Sequence, residues 1–222
     1  MKMTMTASAT KKHHNIFPNL LMNSSDIYYI YLQKKYSRRI SLGLSRINLA
    51  LKKLNNPHLK LNNPINIIGS DGKYSTLLSL KTFLEGAGNK TTSFISPHLY
   101  KLETRISLIN KYISLNEFKK YEKIIGKLNV RLSLFEVLTL IYILAASKQK
   151  GVNYNLVEAG LLFKGDSTRL WENPFLQICT NINTQHLEWI NPKSINEICK
   201  QKVGYLSNNT KIYIGKQSNK VQ

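Results

Sequence analysis

The sequence predicts an α/β protein: a mostly parallel sheet with helices on both faces. Three observations predict it. Short apolar runs of strand length alternate along the chain with longer segments of helical spacing, the pattern of successive βαβ units. One such run, Ile65–Ile68, ends on a glycine-rich loop, Gly69–Thr76, that opens a helix. The composition, 42% hydrophobic and 20% charged over 222 residues, is that of a globular chain able to bury a core.

Residues 1–25 read as a polar, poorly ordered lead, and residues 26–222 as one domain. Leu42, Leu44, Ile47, Leu49, Leu51 and Leu54 recur at helical spacing until Asn55-Asn56-Pro57 closes the helix. After the strand Ile65–Ile68, Leu77, Leu80, Leu84 and Ala87 form one stripe of a helix from Lys73, with Gly88 as its stop. Thr91–Ile95 and Arg105–Ile109 are strand candidates. Helices are expected over Asn116–Leu128 and Leu134–Lys148, and short buried strands at Asn155–Glu158 and Leu176–Thr180. Ser194 with Glu197 suggests a capping box for a helix to Val203, and Lys211–Ile214 is the last strand.

The formal net charge of +20 suggests a polyanion partner, since such a field attracts nucleic acid without sequence preference. Yet arginine supplies only six of the 32 basic residues, and Asn, Ile and Lys crowd the whole chain. An AT-rich coding sequence produces that pattern, so nucleic acid is not the expected partner; no basic stretch interleaved with stacking aromatics appears. The longest apolar run, Val137–Ala146, is too short to span a bilayer. Cys179 and Cys199 lack metal-type spacing and read as reduced thiols. A soluble, cytoplasmic protein is expected.

In the loop Gly69-Ser70-Asp71-Gly72-Lys73-Tyr74-Ser75-Thr76, glycines permit a tight turn that points successive amides into one concavity. The following helix N-terminus and Lys73 would neutralise phosphates, and Ser75 or Thr76 offers a hydroxyl. Lys73 falls one step early for the generic Walker pattern, so the loop alone is equally compatible with a glycine-rich turn carrying an incidental lysine.

Several further segments fall into line behind it: Ser96-Pro97-His98-Leu99, Arg105-Ile106, Phe135-Glu136-Val137-Leu138-Thr139, Glu158-Ala159-Gly160-Leu161, Asp166-Ser167-Thr168, Thr180-Asn181-Ile182 with His186, and Lys202-Val203-Gly204. Together they resemble the folylpolyglutamate synthases and dihydrofolate synthases of the Mur ligase superfamily. That family's loop reads Gly-Thr-Asn-Gly-Lys-Gly-Ser-Thr, with the lysine in register with Lys73. Its later motif reads Thr-Asn-Ile-Gly-Leu-Asp-His.

The resemblance implies a P-loop NTPase-like fold of the Mur ligase central-domain type, incomplete at its C-terminal end. It implies an ATP-dependent amide ligase that activates a folate or dihydropteroate carboxylate as an acyl phosphate and joins it to L-glutamate. ATP and Mg2+ would be the cofactors. Lys73 and the loop would hold the phosphates; Ser96, Glu158 and His186 would hold the magnesium; Asp166 would position the pterin. Lys202 stands where the family carries a carbamylated lysine, so Lys73, His186 and Lys202 are the expected catalytic side chains.

Departures from the pattern are Tyr74 for a loop glycine, Asp71 for Asn, Leu162-Phe163 for Gly-Gly, and Asn183-Thr184-Gln185 for Gly-Leu-Asp. Family members run to about four hundred residues in two domains. The resemblance therefore implies that this chain is the N-terminal, ATP-binding part only. The glutamate-binding C-terminal domain would be absent or carried by a separate chain, and turnover by this chain alone would be weak or nil. The other readings are a non-catalytic nucleotide-binding remnant and a basic nucleic-acid-binding protein.

Overall fold

The computed structural model describes residues 22–37 and 42–221. Seven strands form one sheet: β1 (Pro64–Ile68), β2 (Thr91–Phe94), β3 (Ile106–Leu108), β4 (Lys111–Tyr112), β5 (Tyr154–Glu158), β6 (Leu176–Cys179) and β7 (Lys211–Ile214). Their order is β4-β3-β2-β5-β1-β6-β7. The run from β2 to β7 is parallel throughout, whereas β3 and β4 pair antiparallel at the other edge. The expectation of a mostly parallel sheet holds. The antiparallel edge arises because β2 is followed by a one-turn helix, Leu102–Arg105, too short for a crossover to a parallel neighbour.

The strands alternate sides as the pleat requires. Ile65, Ile67 and Leu156 face α3 (Lys73–Gly86), with Leu77. Phe94, Ile106, Leu108 and Val157 face the opposite side, against α5 (Leu134–Ala146). Twelve of the thirteen residues of α5 are buried, so it is apolar around its whole circumference. Helices α2 (Ser45–Lys53) and α4 (Leu115–Gly126) contact α5. Helices thus cover both faces, as expected.

Both α4 and α5 begin with a full capping box, Ser114 with Glu117 and Ser133 with Glu136. At α6 (Ile195–Val203) only half of the expected box forms. Ser194 Oγ accepts from Glu197 N–H at 3.2 Å, but the Glu197 carboxylate accepts from Gln201 Nε2 at 2.7 Å instead. Of the expected lead, residues 1–21 lie outside the described residues. Its last two, Ser24 and Ser25, already belong to α1 (Ser24–Lys35), which Asn23 caps. Among the described residues, no helix is long and apolar enough to cross a membrane.

Candidate functional site

The carboxyl ends of parallel strands are where open α/β sheets assemble ligand sites, and the sequence-predicted residues gather there. β1 leads into Gly69, which has φ +146°, and a Cβ built on it would stand 2.0 Å from Thr180 Oγ1. Only glycine fits between β1 and the residue that follows β6. Gly72 (φ +79°) caps α3 in the left-handed region, and Lys73 is the first helical residue. The N–H groups of the first turn of α3 therefore lack intrahelical acceptors and add positive potential at the loop. Lys73 Nζ donates to Ser70 O at 3.0 Å, folding the side chain back over the loop.

A cleft of about 480 Å³ lies beside it, walled among others by Lys73, Ser96, Arg105, Asp166 and His186. Glu158 ends β5 and is 4% exposed. Its Oε2 accepts from Ser96 N–H at 3.1 Å, which ties the ends of β2 and β5 together. Burial pushes the Glu158 pKa up, while that hydrogen bond and the charges of Lys73 and Arg105 oppose the rise. His186 has φ +62°, and its Nδ1 lies 3.9 Å from Glu188 Oε1. Burial first, and then the Lys202 charge, push its pKa down.

Lys202 is buried, on the inward side of α6. Its Nζ donates to Gly69 O and to Leu161 O, each at 2.8 Å. Burial, followed by the Lys73 charge, pulls its pKa down to about 8. A lysine on a basic helix would ordinarily be solvated; this one is held inside by two carbonyls.

Asp166 lines the cleft, yet its carboxylate is engaged with its own loop. Oδ2 accepts from Leu161 N–H at 2.9 Å, and Oδ1 accepts from Thr168 N–H at 2.9 Å and from Thr168 Oγ1 at 2.6 Å. Tyr74 is partly buried and packs against the apolar cluster between α3 and the sheet. Leu162 and Phe163 are fully buried in apolar clusters, so the departures there fill core.

Arg105 is the organiser that the sequence did not announce. It is 4% exposed and donates through Nη1 to Ser96 Oγ at 3.1 Å, through Nε to His98 Nδ1 at 2.9 Å, and through Nη2 to Tyr29 OH at 3.4 Å. Its spacing from Ser96-Pro97-His98 was visible as a motif, but an arginine two strand-lengths away carries no signal of burial. Tyr29, on a helix without an apolar period, carried no signal at all.

A glycine loop that leaves a central parallel strand and opens a helix, with buried cationic and carboxylate groups around it, is the architecture of the P-loop-like class of α/β folds. The comparisons with known proteins sharpen that class. No family model matches the chain. The chain is 27% identical over 149 residues to the dihydrofolate synthase/folylpolyglutamate synthase of Bacillus subtilis, covering 64% of this chain and 34% of that protein. It is 25% identical over 189 residues to the Escherichia coli protein of the same name, covering 83% and 43%. Among solved structures, the Mycobacterium tuberculosis folylpolyglutamate synthase complexed with ADP superposes with a TM-score of 0.75 at 25% identity, over 88% of this chain and 45% of that one. The Thermotoga maritima folylpolyglutamate synthase gives 0.74 at 25% identity, over 88% and 46%. The chain is thus similar in sequence and in fold to folylpolyglutamate synthases and dihydrofolate synthases. It spans less than half the length of the proteins it matches.

Proposed function

We propose that this chain forms the nucleotide end of an ATP-dependent amide ligase of folate metabolism, which joins L-glutamate to a folate or dihydropteroate carboxylate. The observation that supports this most is the convergence of Lys73 and buried Lys202 on the Gly69–Thr76 loop, with the buried Glu158 carboxylate in the field of Lys73, groups that packing alone explains poorly. Like-charged phosphates and carboxylate repel one another, so a site that brings them together must concentrate fixed cations and oriented N–H groups.

Lys73 and the amides opening α3 hold the outer phosphates. The magnesium set is Ser96, Glu158 and His186, and the donor chemistry fits. Glu158 is a buried carboxylate whose one hydrogen bond among the described residues comes from Ser96 N–H. A hard cation would relieve its desolvation. Ser96 Oγ accepts from Arg105 Nη1, which leaves a lone pair for the metal. His186, with its pKa lowered, presents a neutral imidazole. ATP with the metal supplies the phosphoryl group that activates the carboxylate. His186 orients at the metal, and Lys202, pulled down to about 8, has a fraction of neutral amine available for carbamylation. Asp166 shapes the pterin wall through the loop it fixes, and a glutamate-binding domain completes the reaction, here or on a separate chain.

Calorimetric titration with MgATP tests the reading. Binding is expected, and Lys73→Ala should weaken it roughly ten- to a hundred-fold, the scale of a lost charge-assisted phosphate contact. Unchanged affinity in Lys73→Ala, or no binding by the parent chain, would refute the assignment. Turnover with ATP, dihydropteroate and glutamate is expected to be weak or absent for the chain alone.

A further inference from the structure

The segment Asn181–Gln185 runs beside the phosphate loop and is bonded to it repeatedly. Ser70 N–H donates to Asn181 O at 2.8 Å, and Asp71 N–H donates to the same oxygen at 3.4 Å. Ser70 Oγ donates to Asn183 O at 3.3 Å and accepts from Asn183 N–H at 3.1 Å. The Asp71 carboxylate then takes two side-chain amides from this segment. Asn183 Nδ2 donates to Oδ2, and Gln185 Nε2 donates to Oδ1 at 3.0 Å. His186 is the next residue and sits in the left-handed backbone region, so the path of 181–185 sets where its imidazole stands.

The pairing is also matched in charge: Asp71 supplies a carboxylate and Gln185 an amide, one acceptor facing one donor. A change at either position alone would set two carboxylates, or two amides, against each other. Like charges at this separation repel, and unmatched amides lose the charge-assisted bond. Exchanging both residues together would again leave one charged acceptor and one amide donor.

We propose that Asp71 and Gln185, with Asn183 as a second donor, are positioning residues. They form a clasp that holds the phosphate loop in register with the segment bearing His186. Neither is assigned a contact with substrate. The clasp's effect on nucleotide rests on the function proposed above; the clasp itself does not.

The test compares Asp71→Asn, Gln185→Asp and the double variant in the full chain, by amide hydrogen exchange and by MgATP titration. Gln185→Asp should speed exchange at both 69–73 and 181–186, roughly three- to ten-fold, because local opening is then opposed by one fewer charge-assisted bond and favoured by repulsion. The double variant should return both segments to the parent rates, since it restores a carboxylate–amide pair in the opposite sense. MgATP affinity should fall in Gln185→Asp and recover in the double. A double variant no slower in exchange than Gln185→Asp would overturn the proposal, as would acceleration confined to one segment. If the parent chain binds no MgATP, the proposed function fails and the exchange result still decides the clasp.

Discussion

Two loops leave the carboxyl ends of neighbouring strands, and they secure an aspartate in opposite ways. After β5, Asp166 is 3% exposed and is satisfied within its own loop, by Leu161 N–H and by the amide and hydroxyl of Thr168. After β1, Asp71 is exposed and is satisfied by side chains from more than a hundred residues away, Asn183 and Gln185. The first arrangement is local, buried and stiff. The second is remote, solvated and adjustable, and it sits at the loop proposed to close on phosphates. A buried, self-contained loop suits a fixed wall; a loop held by solvated side chains can change its hold at modest cost.

The sharpest way to break this contrast is to remove the buried carboxylate. Asp166→Ala leaves a buried N–H, a part-buried N–H and a buried hydroxyl unpaired, so we expect a loss of about 3–4 kcal/mol in urea unfolding. A loss below about 1 kcal/mol would show that the loop is not organised by Asp166. Next comes the close approach at the first loop's entry. Gly69→Ala places a Cβ against Thr180 Oγ1 at a positive φ, and should cost about 2–3 kcal/mol. Adding Thr180→Ala should recover part of that loss, because it removes the 2.0 Å contact but leaves Asn181 O at 3.2 Å and the backbone strain. Full recovery would mean that φ at Gly69 contributes nothing.

The two loops also differ in how far the sequence revealed them. Gly69–Lys73 was legible because strand, glycines, lysine and helix follow one another in the chain. Glu158 was legible as a carboxylate closing an apolar strand. The clasp was not, because Asp71 and Gln185 are 114 residues apart and local pattern carries no register between them. The same limit hid the direction of β3, since strand-like residues do not say which neighbour they pair with. α1 escaped notice for another reason. Its apolar residues run consecutively from Ile27 to Leu32, and only Leu32 is fully buried, so no helical period appears. Lys202 was legible only through the resemblance: its neighbours Lys200 and Gln201 mark a solvent-facing helix, whereas the residue itself is buried.

Lys202 joins the two loops, and its titration offers the smallest but most specific test. Nζ donates to Gly69 O in the first and to Leu161 O in the second. Its pKa falls from the ordinary 10.5 to about 8 in the folded chain. The fold therefore sheds this proton near pH 8, whereas the unfolded chain keeps it until about pH 10.5. Between those limits the unfolded state binds more protons, so stability rises with pH, and the cost of burying the charge is present in full only below the window. Relative to Lys202→Met, the parent chain should gain about 1 kcal/mol between about pH 7 and about pH 9, measured by urea unfolding in CO2-free buffer. A difference that stays flat or falls over that range would place the ammonium in solvent and dissolve the bridge between the loops. Because the neutral amine keeps two N–H donors and can still serve both carbonyls, the gain should appear without any loosening of Gly69 or Leu161 in hydrogen exchange.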